Sequence, residues 1–370
     1  MSLLLTETHR ALAAKVKADA AKLEPHGPAM DYATLTCKVA GLGFYPYLVP
    51  KAFGGALDAV DVRSLCVIRE EIAAVNAAAD SVFAVQGLGS HPVLLAGSEE
   101  QKRELLPKVA SGAALFAFAL TEPEAGSDVA ALSTRARADG DGWVLDGRKR
   151  FISNAGVATH YTVFARTGEG TKGISAFLVP AKAPGMTFTK MEMTGDHPIG
   201  ELGFEGCRVP SSARIGELGA GMKLALSTLD VFRSTVGAAA VGMARRALEE
   251  SITYAKRRKQ FGAPLADLPA VQAMIAESAV DLEAARLLVH QAAAVKDSGQ
   301  ERVTYEAAVG KLFATEAAQR VIDRCVQIHG GNGVVKDSVP ERLYRDIRAL
   351  RIYEGASEVQ RLVIARHLLK

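Results

Sequence analysis

Ser133-Thr-Arg-Ala-Arg-Ala138-Asp139-Gly-Asp-Gly142-Trp143-Val-Leu145 is the stretch on which the fold turns. Ser133–Ala138 and Trp143–Leu145 alternate as hairpin strands do, and Asp139-Gly-Asp-Gly142 between them has the composition of a tight turn. Trp143, the only tryptophan, reads as a packing residue. Working outward, the same texture holds from Leu115 to near Gly216. Short apolar runs are broken by Gly, Asp and Pro about every ten residues, the signature of an antiparallel sheet or barrel. Tyr161–Ala165 and Ile174–Val179 read as further strands, joined by the polar loop Thr167–Gly173. The longest apolar run, Ala113–Leu120, is itself strand-sized.

On both sides of this region the period changes to that of a helix. Leu12, Val16, Ala20 and Leu23 recur at helical spacing, as do Leu65, Ile68, Ile72 and Val75. Gly41-Leu-Gly43, Pro46, Pro50 and Gly54-Gly55 punctuate this part. Ser98-Glu-Glu-Gln101 spells a capping box that starts a helix, and His91 before Pro92 reads as a structural residue at a helix start. Downstream, helices are expected over Lys223–Arg258, Asp267–Asp297 and Glu301–Ile328, with Val271, Met274, Ile275, Leu282, Ala285 and Val289 on one apolar face. Arg245-Arg246 with Glu249-Glu250 read as a solvated face. The expected architecture is α+β: an N-terminal α-helical domain (residues 1–112), a middle antiparallel β-barrel or sheet domain (113–220) and a C-terminal four-helix bundle (221–370).

The chain has 370 residues, 49% hydrophobic and 23% charged, with a formal net charge of +3. That balance describes an ordinary globular protein and is too weak to argue for nucleic acid or an anionic membrane. No apolar run approaches the roughly 20 residues of a membrane span. Leu3–Leu5 is too short for a signal sequence, and Asp19 and Glu24 argue against a transit peptide. Cys37, Cys66, Cys207 and Cys325 are scattered, with no metal-site or disulfide spacing, so a reduced cytoplasmic protein without metal is expected. Dinucleotide and Walker fingerprints are absent, which leaves nicotinamide and ATP chemistry without support.

Two stretches carry chemistry. In Arg351-Ile-Tyr353-Glu354-Gly355-Ala356-Ser357-Glu358, Tyr-Glu-Gly interrupts a helical pattern that runs from Pro340 to Arg351 and resumes with Val359, Leu362, Val363 and Leu369. Gly355 permits an unusual backbone, and Ser357 is a candidate N-cap. Glu354 at such a break projects into whatever cleft it faces, which suits a general base; on this stretch alone a solvent-facing Glu in a helix–helix turn is the more ordinary reading. In Phe118-Ala-Leu120-Thr121-Glu-Pro-Glu-Ala125-Gly126-Ser127-Asp128, a strand ends in a loop that offers two hydroxyls. Its Ala-Gly backbone admits a flat or anionic ligand at close range.

This eleven-residue string closely resembles the flavin-and-substrate loop of the FAD-dependent acyl-CoA dehydrogenase family, and the α–β–α order is similar too. Val49-Pro-Lys-Ala-Phe-Gly-Gly55, Phe151-Ile152-Ser153-Asn154, Arg258-Lys-Gln-Phe261-Gly262, Gln327-Ile-His-Gly330-Gly331-Asn-Gly333 and Tyr353-Glu354-Gly355 resemble further motifs of that family, in the same order. The resemblance implies FAD contacts at Phe118, Leu120, Thr121, Gly126, Ser127, Phe151, Ile152, Ser153, Ala356 and Glu358. It implies that Arg258, Phe261, Gln327, Gly330 and Gly331 reach the FAD of a neighbouring subunit, in a tetramer built from dimers. Ser127, Asp230, Arg233 and Gly355 are implied as contacts to an acyl-CoA substrate.

The implied reaction is α,β-dehydrogenation, with Glu354 as α-proton base and hydride passing to FAD N5. The electrons would then go to an electron-transferring flavoprotein. Two departures stand out: Ala356 where relatives often have Thr, and Pro269 where they usually have Gln. In some branched- and long-chain members the base comes from the residue before the arginine of Asp-x-x-Arg. Here that residue is Phe232, and a carboxylate placed there is expected to address the same α-proton. Alternatives on the same fold are an acyl-CoA oxidase, which is often extended at the C-terminus, a flavin monooxygenase, and a flavin-bearing scaffold or nucleic-acid-binding relative.

Overall fold

The computed structural model of the chain describes residues 4–23, 31–195 and 197–370, so that Leu3 and Glu24 lie outside the described residues. Five helices lead the chain: α1 (Glu7–Ala20), α2 (Tyr32–Gly41), α3 (Val62–Ala73), α4 (Ala77–Ala96) and α5 (Glu99–Ser111). Leu12, Val16 and Ala20 line the buried face of α1, and Leu65, Ile68 and Ile72 that of α3. The expected capping box is present at Ser98. His91 and Pro92 are placed differently from the sequence reading, because Pro92 lies inside α4 rather than at a helix start. Nearly every residue of α4 from Ala78 to Val93 is buried, and packing on all sides outweighs the local penalty of a proline.

The middle region forms one eight-stranded sheet: β1 (Phe116–Ala119), β2 (Arg135–Asp139), β3 (Gly142–Ser153), β4 (His160–Arg166), β5 (Ile174–Pro180), β6 (Met186–Lys190), β7 (Ile199–Pro210) and β8 (Arg214–Ile215), in the order β6-β7-β3-β2-β4-β5-β8 with β1 on β4. The hairpin closes at Asp139 opposite Gly142. Trp143 packs on Phe177 with ring centroids 5.2 Å apart. Most pairings are antiparallel, but β1 runs parallel to β4 and β2 meets β4 in parallel. A parallel pair is joined by a long excursion, here the forty residues that follow β1, and local turn patterns carry no trace of it. Two irregularities in the β3–β7 register, at Leu145/Gly147 and Lys149/Ile152, re-aim the end of β3, as bulges do.

Three long helices follow, α6 (Gly221–Arg257), α7 (Pro269–Asp297) and α8 (Thr304–His329), then two shorter ones, α9 (Val339–Leu350) and α10 (Ser357–Leu368). A small hairpin of β9 (Lys259–Gln260) and β10 (Ala263–Pro264) joins α6 to α7, and Pro269 stands in the first turn of α7, where a missing N–H costs nothing. By length and composition α6 could cross a membrane, but 89% of its most apolar window is buried within the protein. It crosses α3 so closely that a Cβ at Gly242 would lie 2.0 Å from the Glu70 carbonyl oxygen. Arg245 reaches across that contact to Glu71 (2.7 Å) and Glu70 (3.7 Å), so it is an inter-helix tie instead of a solvated charge. Ser357 is likewise one step off expectation. Ala356 is the N-cap, and the Ser357 hydroxyl donates to Glu316 at 2.5 Å.

Candidate active site

The sheet, α4, α6 and the α9–α10 turn enclose a cavity of about 1520 Å³, larger than the roughly 300–1,000 Å³ that holds one drug-sized ligand. Glu354 opens onto it. The backbone there is left-handed, with φ of 51° at Glu354 and 101° at Gly355, and a side-chain-bearing residue adopts that conformation only when its surroundings impose it. Three elements do so. Arg233 Nε on α6 donates to the Glu354 carbonyl (3.2 Å), and Lys311 Nζ on α8 donates to the Gly355 carbonyl (2.8 Å). Gln360 Nε2 on α10 donates to the Gly355 carbonyl as well (3.1 Å). A Cβ at position 355 would stand 2.1 Å from Gln360 Nε2 and would displace that side chain, and a φ of 101° there favours glycine.

This clamp leaves the carboxylate itself uncommitted. Glu354 Oε2 is sealed from solvent and has no hydrogen-bond partner among the described residues. Burial pushes the Glu354 carboxyl above the usual range, against the pull of Arg69, Lys311 and Arg233. Burial also pulls the Lys311 ammonium down to about 8, although Glu354 pushes it back up. The N–H groups of Glu354 and Gly355 find no backbone acceptor among the described residues. Beside the turn, Arg233 pairs with Asp230 (3.3 Å), whose other oxygen accepts from the Thr304 hydroxyl (2.6 Å).

Across the cavity, the loop after β1 brings in Thr121, Gly126 and Ser127, and the end of β3 brings Phe151, Ile152 and Ser153. Glu122 anchors that loop from behind. It accepts from the N–H groups of Ser133 (2.6 Å) and Thr134 (2.9 Å), from the Ser133 hydroxyl (2.9 Å) and from Lys149 Nζ (2.7 Å). Burial pushes the Glu122 carboxyl up, but Lys149 and these donors outweigh it and hold the group at about 2. Phe151, with φ of 58°, keeps 47% of its surface exposed. A Cβ on Gly126 would meet nothing within 4 Å. An open aromatic face and an approachable loop backbone fit a flat, phosphate-bearing group such as FAD.

Of the residues expected at the site, Phe118, Leu120, Thr121, Gly126, Ser127, Phe151, Ile152, Ser153, Asp230, Arg233, Glu354, Gly355 and Ala356 share this cavity. Arg258, Phe261, Gln327, Gly330 and Gly331 do not; all five are exposed, elsewhere on the surface. Glu358 is exposed too, paired with Arg361 at 3.4 Å. Phe232 is not among the residues that line the cavity: it is 2% exposed, meets His91 edge-on at 5.6 Å, and fills the space beside Gly87. The sequence reading missed Arg69 and Lys311. Each is an ionisable residue at an apolar-stripe position of its helix, Arg69 between Leu65 and Ile72 and Lys311 between Ala307 and Ala314, and that mismatch was the available signal.

The chain matches the family models for the acyl-CoA dehydrogenase N-terminal domain over residues 2–113, middle domain over residues 117–207 and C-terminal domain over residues 219–369. It is 41% identical to the probable acyl-CoA dehydrogenase FadE25 of Mycobacterium tuberculosis, covering 99% of this chain and 96% of that protein. It is 42% identical to the caffeyl-CoA reductase–Etf complex subunit CarC of Acetobacterium woodii, covering 90% and 89%. The solved butyryl-CoA dehydrogenase of Megasphaera elsdenii superposes over the full length of both chains with a TM-score of 0.95 at 34% identity.

Proposed function

The chain belongs to the acyl-CoA dehydrogenase family, and from that premise we propose that Glu354 is the base that removes the α-proton of a thioester bound between the sheet and α6. The protein is an FAD-dependent oxidoreductase of acyl-CoA thioesters. The observation that carries the assignment is the Glu354 carboxylate oxygen, sealed and unpartnered on the cavity wall while its backbone is clamped from three helices. A partly desolvated base whose carboxylate makes no internal hydrogen bond is a stronger base once ionised. Its own N–H and that of Gly355 are free to donate to the thioester oxygen as negative charge develops there. Bound FAD supplies the acceptor for the β-hydride.

Phe118, Leu120, Thr121, Gly126, Ser127, Phe151, Ile152, Ser153 and Ala356 are proposed to hold the cofactor within the subunit. Asp230, Arg233, Ser127 and Gly355 are proposed to orient the thioester. The exposed group of Arg258, Phe261, Gln327, Gly330 and Gly331 is proposed to complete the flavin site of a neighbouring subunit in a tetramer, with Glu358 at the rim. Support comes from Phe261, which is 93% exposed at the tip of the β9–β10 hairpin. An aromatic ring held out in this way is better explained by a partner surface than by folding. An electron-transferring flavoprotein is the proposed acceptor, in line with the Etf complex to which CarC belongs. A reducing, cytoplasmic setting is proposed from the four free cysteines. Anaerobic titration of the yellow holoprotein with butyryl-CoA tests the reading: bleaching of the flavin band is expected. A folded protein that retains no FAD after reconstitution would contradict it.

A further inference from the structure

The cavity deepens along α6. Leu226 near its mouth is 41% exposed, Asp230 8% and Arg233 6%, and the wall from Met222 to Arg233 spans about 16 Å of helix. Arg69, which is 1% exposed, lines the same cavity. Its guanidinium grips Asp80 through Nε (2.9 Å) and Nη2 (2.8 Å), and Nη1 donates to the Thr235 hydroxyl (2.9 Å). Ser81, beside Asp80 on α4, also lines the cavity, whereas Ala84, Val85 and Leu88 on the same helix make the adjoining wall apolar. The sealed end of the cleft is therefore greasy on its sides and ionic on its floor.

An ionic floor is a poor surface for an alkyl tail. Burying a charge pair costs desolvation, and exchanging such a pair for hydrophobic residues of similar volume is often neutral or stabilising. For a substrate ending in a methyl group the pair contributes no attraction and leaves polar atoms facing hydrocarbon. A hydroxyl or carbonyl at the far end of the acyl group meets instead the Arg69 guanidinium, which donates, and the Ser81 hydroxyl. Sites built in this way discriminate strongly against analogues that lack the polar atom. The pair is charge-balanced, and Asp80 would repel a second carboxylate, so the matching group is polar and uncharged.

We propose that Arg69, held from behind by Asp80, and Ser81 form a specificity floor that selects short acyl-CoA thioesters whose distal end carries an uncharged hydrogen-bonding group. The proposal rests on the acyl-CoA dehydrogenase reading above and names the substrate class of that same site. The reaction is unchanged: the α-proton goes to Glu354, the β-hydrogen leaves as hydride to FAD, and the C=C bond forms between those carbons.

The test compares butyryl-, valeryl-, 4-hydroxybutyryl-, 5-hydroxyvaleryl-, 4-oxovaleryl- and glutaryl-CoA. Reduction of the holoenzyme is followed anaerobically, and binding is measured by calorimetry in a Glu354→Gln background, where no turnover intervenes. At least one hydroxy- or oxoacyl thioester is expected to exceed its alkyl counterpart at least about tenfold in kcat/KM and in affinity. The ratio should collapse toward one in Arg69→Met/Asp80→Leu and fall in Ser81→Ala. Ser81→Ala keeps the test decisive should the double variant lose its melting transition. Alkyl thioesters equal to or better than the polar ones, glutaryl-CoA ahead of all, or a ratio unmoved by Ser81→Ala and by a folded double variant would overturn the floor. If butyryl-CoA alone bleaches the flavin, the functional reading survives and the floor fails; if no thioester does, both fail.

Discussion

Glu354 is held in a left-handed backbone conformation that it would not choose, with one carboxylate oxygen sealed from solvent, and both features have measurable consequences. Burial raises its folded carboxyl above the unfolded value of 4.5. A carboxyl raised on folding contributes stability below the unfolded value and loses that contribution as pH rises through the folded value. Glu354→Gln removes the penalty, so its Tm is expected to exceed wild type at neutral pH, with the gap closing as pH falls toward 4.5. Melting curves across that range check the sign, and a gap that widens on acidification would be inconsistent with the burial. Phe232 gives a second prediction at this scale, and here the geometry replaces the sequence expectation. A carboxylate at position 232 would replace a ring packed against His91 and Gly87, outside the residues that line the cavity. Glu354→Gly/Phe232→Glu should therefore recover no flavin reduction, and recovery above the Glu354→Gly background would show that position 232 faces the substrate after all.

At the scale of elements, the loop between β1 and β2 depends on Glu122 and Lys149, both buried. Lys149 has one other acceptor, the Leu120 carbonyl, whereas Glu122 keeps three further donors from Ser133 and Thr134. Glu122→Ala should thus cost about 3–5 kcal/mol, the usual result of stranding a buried charge, and Lys149→Met distinctly less. Equilibrium denaturation ranks the two, and the reverse order would mean that the lysine is the anchor. A Glu122 carboxyl held at about 2 contributes stability above the unfolded value of 4.5 and loses it as pH falls toward 2. The acid sensitivity of wild type over that window should be reduced in Glu122→Ala.

Much at this scale was legible because it is local. The Asp139–Gly142 hairpin, the Ser98 capping box and the three long C-terminal helices each follow from residues a few positions apart. The parallel β1–β4 pairing and the buried Pro92 were not legible, since each depends on contacts between distant segments that periodicity does not encode. The candidate site divides in the same way. Its loops were legible through their resemblance to family motifs, while Arg69 and Lys311 come from far upstream and are visible only once the helices are packed.

For the molecule as a whole, the cavity is built where the three regions of the chain meet, yet Arg258, Phe261, Gln327, Gly330 and Gly331 remain outside it on the surface. If a second subunit brings that surface to the flavin, Arg258→Ala and Phe261→Ala should fold normally and lose FAD on gel filtration several times faster than wild type. A monomeric, fully active protein would contradict the shared site. The functional reading rests on Glu354 taking the α-proton, and general bases typically account for about 10²–10⁴-fold in rate. Rapid mixing of anaerobic Glu354→Gln holoprotein with a thioester that reduces wild type tests this most directly. The account predicts that flavin reduction slows by at least about 10²-fold while the thioester still binds; reduction at a near-normal rate would show that the proton is taken by another group.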